Sequence, residues 1–510
     1  RRRATLGALK RIHFLIAALA GVALCAGLDF REPYRPQFHF SPRRNWTNDP
    51  NGLVYDRGRF HAFFQFNPFG DEWGHMSWGH AVSDDAVRWR ELPVAIPEAG
   101  GIMIFTGSAV VDTRNTSGFC LAARPCLVAV YTGHSEKLQT QNVAYSNDDG
   151  LTWTKYSANP VLNLDLADFR DPNVFWLDSA GAWIMVVALP PKHRVLFYQS
   201  ADLKHWKEAG GFGPAGATGG VWECPDLFQA PMENGGERKW VLKVGLNPGH
   251  VSGGSGEQYF VGSFDGARFT PEPAGAPGPR WTDYGRDCYC ALTWNGLPAG
   301  TLPLILGWMD NWQYAANTPT SPWRGQMTLP RSVSLRRTAP GISLLQKPAP
   351  ALESLRTGHL SHSGTSLESA NAFLNRVRPF GDSLELSATL DAGSAQEFGL
   401  RVLKGDGAAT VIGYDRATST IFLDRTRSGE VGFSPAFPSR SVAPLALASG
   451  SLQLHLFVDK SSVEVFAGDG EVTFTDLVYP RPKATSVEVY GNGGNIARIR
   501  IEAWQLRSIW

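Results

Sequence analysis

One short phrase returns four times along this chain and limits what it can fold into. Val82-Ser83-Asp84-Asp85 leads to Trp89, Tyr145-Ser146-Asn147-Asp148-Asp149-Gly150 to Trp153, Gln199-Ser200-Ala201-Asp202 to Trp206, and Gly262-Ser263-Phe264-Asp265-Gly266 to Phe269. A strand ending in Ser, a polar turn and an aromatic that opens the next strand make one hairpin. Its return at comparable intervals predicts radially repeated four-stranded blades, a β-propeller. The rival reading is chance similarity among unrelated hairpins. Composition favours an all-β protein, with 54 Gly, 34 Pro, 17 Trp and short β-rich runs broken by turn residues. No long amphipathic helical stretch stands out after the first 26 residues.

The chain has 510 residues, 43% of them hydrophobic, which is more than one average domain needs. Residues 337–355 are rich in Pro, Ala and Gly and read as a linker. Beyond it, alternating runs such as Leu452-Gln453-Leu454-His455-Leu456-Phe457-Val458 and Ser462-Val463-Glu464-Val465-Phe466 predict a β-sandwich over 356–510, after a propeller over 33–336. Residues 1–26 carry no acid and five basic side chains, all before the apolar run from Phe14 to Leu24, the order of parts in a secretory signal peptide. An uncleaved membrane anchor is the alternative, although the run is short for a span. The expected compartment is extracellular, or periplasmic in a Gram-negative host, with no stable membrane association after cleavage.

Formal net charge is +1, and the basic residues of the N-terminus account for it, so no basic footprint for nucleic acid remains. A monomer is expected. Of six cysteines, Cys25 falls in the presumed signal, which leaves an odd number. Cys120 and Cys126 could close a small loop. Neither they nor Cys288 and Cys290 have the paired spacing of a structural zinc site, and His75 and His80, five apart, point to opposite faces of a strand. No metal or cofactor is expected.

Three acids sit in unusual settings: Asp49 in Asn48-Asp49-Pro50-Asn51-Gly52, Asp171 in Phe169-Arg170-Asp171-Pro172, and Glu223 in Trp222-Glu223-Cys224-Pro225-Asp226. Singly, each has a structural explanation: a turn, a buried ion pair, a solvated rim. As an ordered set in an aromatic-rich propeller they resemble glycoside hydrolase family thirty-two, the invertases, inulinases, levanases and related fructosyltransferases. The likeness extends through Trp73-Gly74-His75-Met76-Ser77-Trp78-Gly79-His80, Phe105-Thr106-Gly107-Ser108 and Asp283-Tyr284-Gly285-Arg286-Asp287. In the C-terminal part it includes Asp424-Arg425-Thr426-Arg427-Ser428-Gly429 and Ser461-Ser462-Val463-Glu464-Val465-Phe466.

The resemblance implies five blades, a site in the central funnel and a following sandwich. It assigns Asp49 as nucleophile, Glu223 as general acid/base and Asp171 as transition-state stabiliser. A retaining mechanism needs such carboxylates on both sides of the scissile bond, and they stabilise an oxocarbenium-like charge without a metal. Repulsion and burial beside Trp222 are expected to favour neutral Glu223, while Arg170 keeps Asp171 charged. Asn48, Gln65, Trp73, Phe105, Thr106, Ser108, Arg170, Asp287 and Trp312 are implied around the terminal fructose, with Trp308 an alternative to Trp312. Thr47 and Cys288 depart from the family pattern near the expected pocket. The resemblance implies an exo-acting enzyme that releases terminal β-D-fructofuranosyl units from inulin, levan or sucrose. The alternatives are a sucrose-preferring invertase, a fructosyltransferase or a non-catalytic fructan-binding protein.

Overall fold

A computed structural model describes residues 30–510 apart from 122–123, 274, 276, 339–340 and 448–449. The presumed signal peptide lies outside the described residues. Five antiparallel sheets follow one another along the chain. The first comprises Asn45–Asp56, Arg59–Phe66, Ser77–Ser83 and Arg90–Ile96, and the second Met103–Asp112, Cys126–Ser135, Leu138–Ser146 and Thr154–Lys155. The third comprises Arg170–Leu177, Ala182–Leu189, Arg194–Ser200 and Lys207–Phe212, and the fourth Val221–Pro231, Arg238–Asn247, Gly256–Phe264 and Phe269–Pro271. The fifth has Tyr289–Thr293, Leu304–Met309, Arg331–Thr338 and Gly341–Pro348. The first strand of each sheet touches the first strand of the next, and the fifth touches the first, so the sheets close into a five-bladed propeller. Trp323–Arg324 adds a parallel pair to Asn45 and Trp46 across this closure.

The repeated phrase is the turn between the third and fourth strands of the first four blades. Ser83, Ser146 and Ser200 each donate from Oγ to an Asp two residues on, at 3.0, 2.8 and 3.1 Å. That Asp accepts following backbone N–H groups: Asp85 from Val87 and Arg88, Asp202 from Lys204 and His205, and Asp265 from Ala267 and Arg268. The aromatic then enters the space between blades, where Trp89 packs with Phe40 and Trp294.

The C-terminal part forms a sandwich of a six-stranded and a five-stranded sheet. Alternate residues such as Leu386, Leu456 and Ile501 on one sheet meet Leu400, Ile412 and Val489 on the other in one apolar core. Two segments differ from the sequence reading. Residues 341–348, taken as linker, form the outer strand of the fifth blade in register with Arg331–Thr338, because Ile342 and Leu344 bury against Val333 and Leu335. Leu367–Val377 is an α-helix, N-capped by Ser366, which buries Ala370, Phe373, Leu374 and Val377 on one face.

Candidate active site

The ends of the innermost strands converge on a pocket of about 350 Å³. Each of these strands slips in register where it reaches the pocket: between Thr47 and Pro50, between Ile104 and Gly107, opposite Val186 and Ala188, between Glu223 and Asp226, and between Tyr289 and Leu292. A bulge frees a residue from strict alternation and re-aims its side chain. It also explains the proline after Asp49, Asp171 and Cys224, since a residue without an N–H is tolerated where the ladder is already interrupted. Asp171, Cys224 and Cys290 have positive φ of 67°, 47° and 46°, which non-glycine residues adopt only when their surroundings hold them there.

The three acids thus come from three blades into one wall. Asp49 and Asp171 are buried, and Glu223 is partly exposed. Thr106 donates to Asp49 Oδ2 at 2.8 Å, while Asp49 Oδ1 meets no donor among the described residues. Asp171 Oδ2 accepts the Cys224 N–H at 2.9 Å. Arg170 reaches Glu223 Oε1 through Nε and Nη2 at 3.1 and 3.0 Å, and Asp168 through Nη1 at 2.7 Å. Tyr289 donates its hydroxyl to Glu223 Oε2.

Burial and the charges of Asp171 and Glu223 push the Asp49 carboxyl up to about 7, against the Thr106 hydrogen bond. Burial also pushes Asp171 upward, with Arg170 opposing and Glu223 assisting. Arg170 thus favours the charged form of Asp171, as expected, although burial outweighs it. Its guanidinium is aimed along the wall at Glu223 and Asp168, because adjacent side chains on a strand diverge.

Asn48, Gln65, Trp73, Phe105, Thr106, Arg170 and Trp312 line the same pocket. Trp46 donates from its indole to Asn48 Oδ1 at 2.8 Å, fixing the amide. Trp312 lines the pocket and rests on Trp46 and Trp308, whereas Trp308 is fully buried and is not among the lining residues. Ser108 and Asp287 do not reach the pocket. Ser108 Oγ accepts the Val174 N–H at 2.8 Å and staples the second blade to the third. Asp287 accepts from Tyr314, Arg425 and the Leu477 N–H at the join with the sandwich. Thr47 turns to the Gln65 carbonyl, and Cys288 is buried outside the pocket.

His134, Gln139, Asp168 and Asn247 line the pocket without having been singled out in the sequence. His134 stacks on Phe105 at 4.2 Å. Only Asp168, two residues before Arg170, stood close enough to a recognised motif to be found. Cys120 and Cys126 are bonded, as their spacing allowed, and so are Cys224 and Cys290, which nothing in the spacing indicated. Asp49, Cys224 and Cys290 place potential metal-ligand atoms within 4.8 Å, but both sulfurs are committed to that bond. His80 faces His61 inside the first blade, whereas His75 lies at the surface against Glu98.

The pocket thus combines the aromatic faces of Trp73, Phe105 and Trp312, the polar groups of Asn48, Gln65 and Arg170, and three carboxylates, a lining suited to a small polyhydroxylated ligand. Residues 39–348 match the glycosyl hydrolases family 32 N-terminal domain, and residues 351–505 the glycosyl hydrolases family 32 C terminal. The chain is 45% identical to a levanase from Bacillus subtilis (strain 168), over 94% of this chain and 72% of that protein. It is 43% identical to an extracellular exo-inulinase from Aspergillus niger, over 97% and 98%. The crystal structure of exo-inulinase from Aspergillus awamori superposes with a TM-score of 0.87 at 39% identity, covering 94% of this chain and 100% of that one.

Proposed function

The chain belongs to glycosyl hydrolase family 32, and from that premise we propose that Asp49, Glu223 and Asp171 carry out a two-step hydrolysis of terminal β-fructofuranosyl bonds. The enzyme is an exo-acting fructan β-fructosidase, in line with its levanase and exo-inulinase relatives. Asp49 Oδ1, which meets no donor among the described residues, attacks the anomeric carbon. Glu223 gives its proton to the departing glycosidic oxygen, so that a fructosyl–Asp49 ester forms and the shortened chain leaves. Water then attacks the same carbon while Glu223 takes back a proton, releasing fructose and restoring both carboxyls.

Asp171 holds hydroxyls of the ring and adds negative charge beside the oxocarbenium-like transition state, where a water-poor wall makes that charge effective. Arg170 and Tyr289 fix the Glu223 carboxyl from two sides. The observation that carries the reading is the convergence of three carboxylates from three innermost strands on one pocket large enough for a single sugar. Two disulfides and extracellular relatives support action outside the cell. Among the described residues no helix is long and apolar enough to cross a membrane.

Product analysis by chromatography on inulin, levan and sucrose, with Asp49→Asn in parallel, tests this. Fructose as the sole product from the fructans, with kcat lowered at least about 10³-fold in the variant, is the expected result. Short oligosaccharides without fructose would rule out exo action, and an active Asp49→Asn would rule out the nucleophile assignment.

A further inference from the structure

The residues that follow Glu223 and Tyr289 in sequence are cysteines, and they are bonded to each other. Cys224 and Cys290 stand 66 residues apart and join the innermost strands of the fourth and fifth blades. Both are buried, both have positive φ, and both lie in the register slips that turn Glu223 and Tyr289 toward the pocket. The same cystine meets the other two carboxylates. The Cys224 N–H donates to Asp171 Oδ2 at 2.9 Å, and Cys224 Sγ lies 3.9 Å from Asp49 Oδ2. Tyr289, fixed by its bonded neighbour, donates to Glu223.

One covalent link therefore stands within a residue or a contact of Asp49, Asp171 and Glu223 alike. A bulged strand end in a left-handed conformation has few ladder hydrogen bonds to hold it, and two of them tied to each other restrain what neither would alone. The second bridge, Cys120–Cys126, closes a six-residue separation at the start of the second blade's second strand, and neither cysteine is itself a pocket-lining residue.

We propose that the Cys224–Cys290 bridge is a positioning element of the reaction: it sets the placement of Glu223 relative to Asp49 and Asp171 and so governs turnover, beyond any part it has in holding the propeller together. This rests on the roles assigned above to the three acids. Displacing a reacting group by about 1 Å costs on the order of 100-fold in rate.

The test compares Cys290→Ala and Cys224→Ala/Cys290→Ala with Cys120→Ser/Cys126→Ser, each assayed on inulin across pH, with thermal melts and near-UV circular dichroism to establish folding. Both variants lacking the central bridge are expected to lose 10- to 100-fold in kcat with a smaller change in KM, and to show a displaced pH profile. The control is expected to melt earlier with kcat and pH profile unchanged. Wild-type kcat and pH profile in both folded variants would overturn the proposal. So would failure of both to fold, which would make the bridge a folding staple, or non-reducing peptide mapping that finds both thiols free in active enzyme. Asp49→Asn, run alongside, separates the two readings. If it is inactive while Cys290→Ala is normal, only the role of the bridge falls; if it is active, the assignment of the acids falls first.

Discussion

Asp49 is a side chain whose chemistry opposes the fold that holds it. Burial, with Asp171 and Glu223 nearby, raises its carboxyl from an ordinary 3.8 to about 7, so the folded chain holds that proton more tightly than the unfolded one. Stability from this group is complete below about pH 4 and is lost as pH rises through about 7, above which a buried charge must be maintained. Asp49→Asn keeps the shape and removes the charge. The variant is expected to be more stable than the parent at pH 8 by on the order of 2 kcal/mol, and indistinguishable from it at pH 4. Urea unfolding at the two pH values measures this, and equal stabilities at pH 8 would show that the carboxylate carries no such strain. The sequence made these acids visible because each stands beside a proline, an arginine or a cysteine that an ordinary strand would not place there. It could not show where Arg170 points, nor that Ser108 and Asp287 serve the scaffold, because those facts depend on which face of a bulged strand each side chain takes.

The blade hairpin is the element whose physics is most local. Asp202 accepts from Ser200, from the N–H groups of Lys204 and His205, and from the His205 ring, all within a few residues. Burial acts against its charge, yet the His205 side chain and these N–H groups outweigh that and hold the carboxyl down to about 2. Its contribution is therefore present above about pH 4 and is lost only as pH falls through about 2. Asp202→Ala is expected to cost about 1 to 2 kcal/mol in a melt at pH 7, since two backbone donors lose their acceptor, with fructose release unchanged. A melt within error of the parent would mean that the turn is held by its flanking strands alone. Because the turn is closed by its own side chain, the propeller could be read from four copies of a short phrase. The fifth blade escaped that pattern: the phrase does not recur before its last strand, which pairs with Arg331–Thr338 but lay in residues whose Pro, Ala and Gly content suggested a linker. The helix Leu367–Val377 escaped as well, since 11 residues give its apolar face only four positions.

At the scale of the whole molecule, the propeller and the sandwich share a buried set of charges that neither could hold alone. Arg331 of the fifth blade meets Glu464 of the sandwich at 2.5 Å and Asp283 at 3.0 Å, and Arg425 of the sandwich meets Asp287. His39, just before the first blade, places its two ring nitrogens 2.8 Å from Asp459 and 3.0 Å from Glu464. Partners so distant in sequence left no local pattern to read, although Asp283, Asp287, Arg425 and Glu464 all lay inside recognised motifs. Around them, Phe38, Leu329, Phe457 and Phe466 form an apolar cluster drawn from both parts, so little water is at hand to replace a lost partner. Burial alone would lower the His39 pKa, but hydrogen bonds and charge from Asp459 and Glu464 raise it to about 9. A raised imidazole stabilises the fold fully below about pH 6.5, and that stabilisation is lost as pH rises through about 9. Over this window the unfolding free energy is expected to fall by on the order of 3 kcal/mol. His39→Gln, which has no proton to lose here, is expected to be less stable than the parent at pH 6 and to show no such slope. Calorimetry from pH 6 to pH 10 distinguishes the cases: a flat parent profile, or the same slope in the variant, would place the alkaline sensitivity elsewhere. The expected slope would make the His39 imidazole, held by two carboxylates of the sandwich, the source of that loss of stability in alkali.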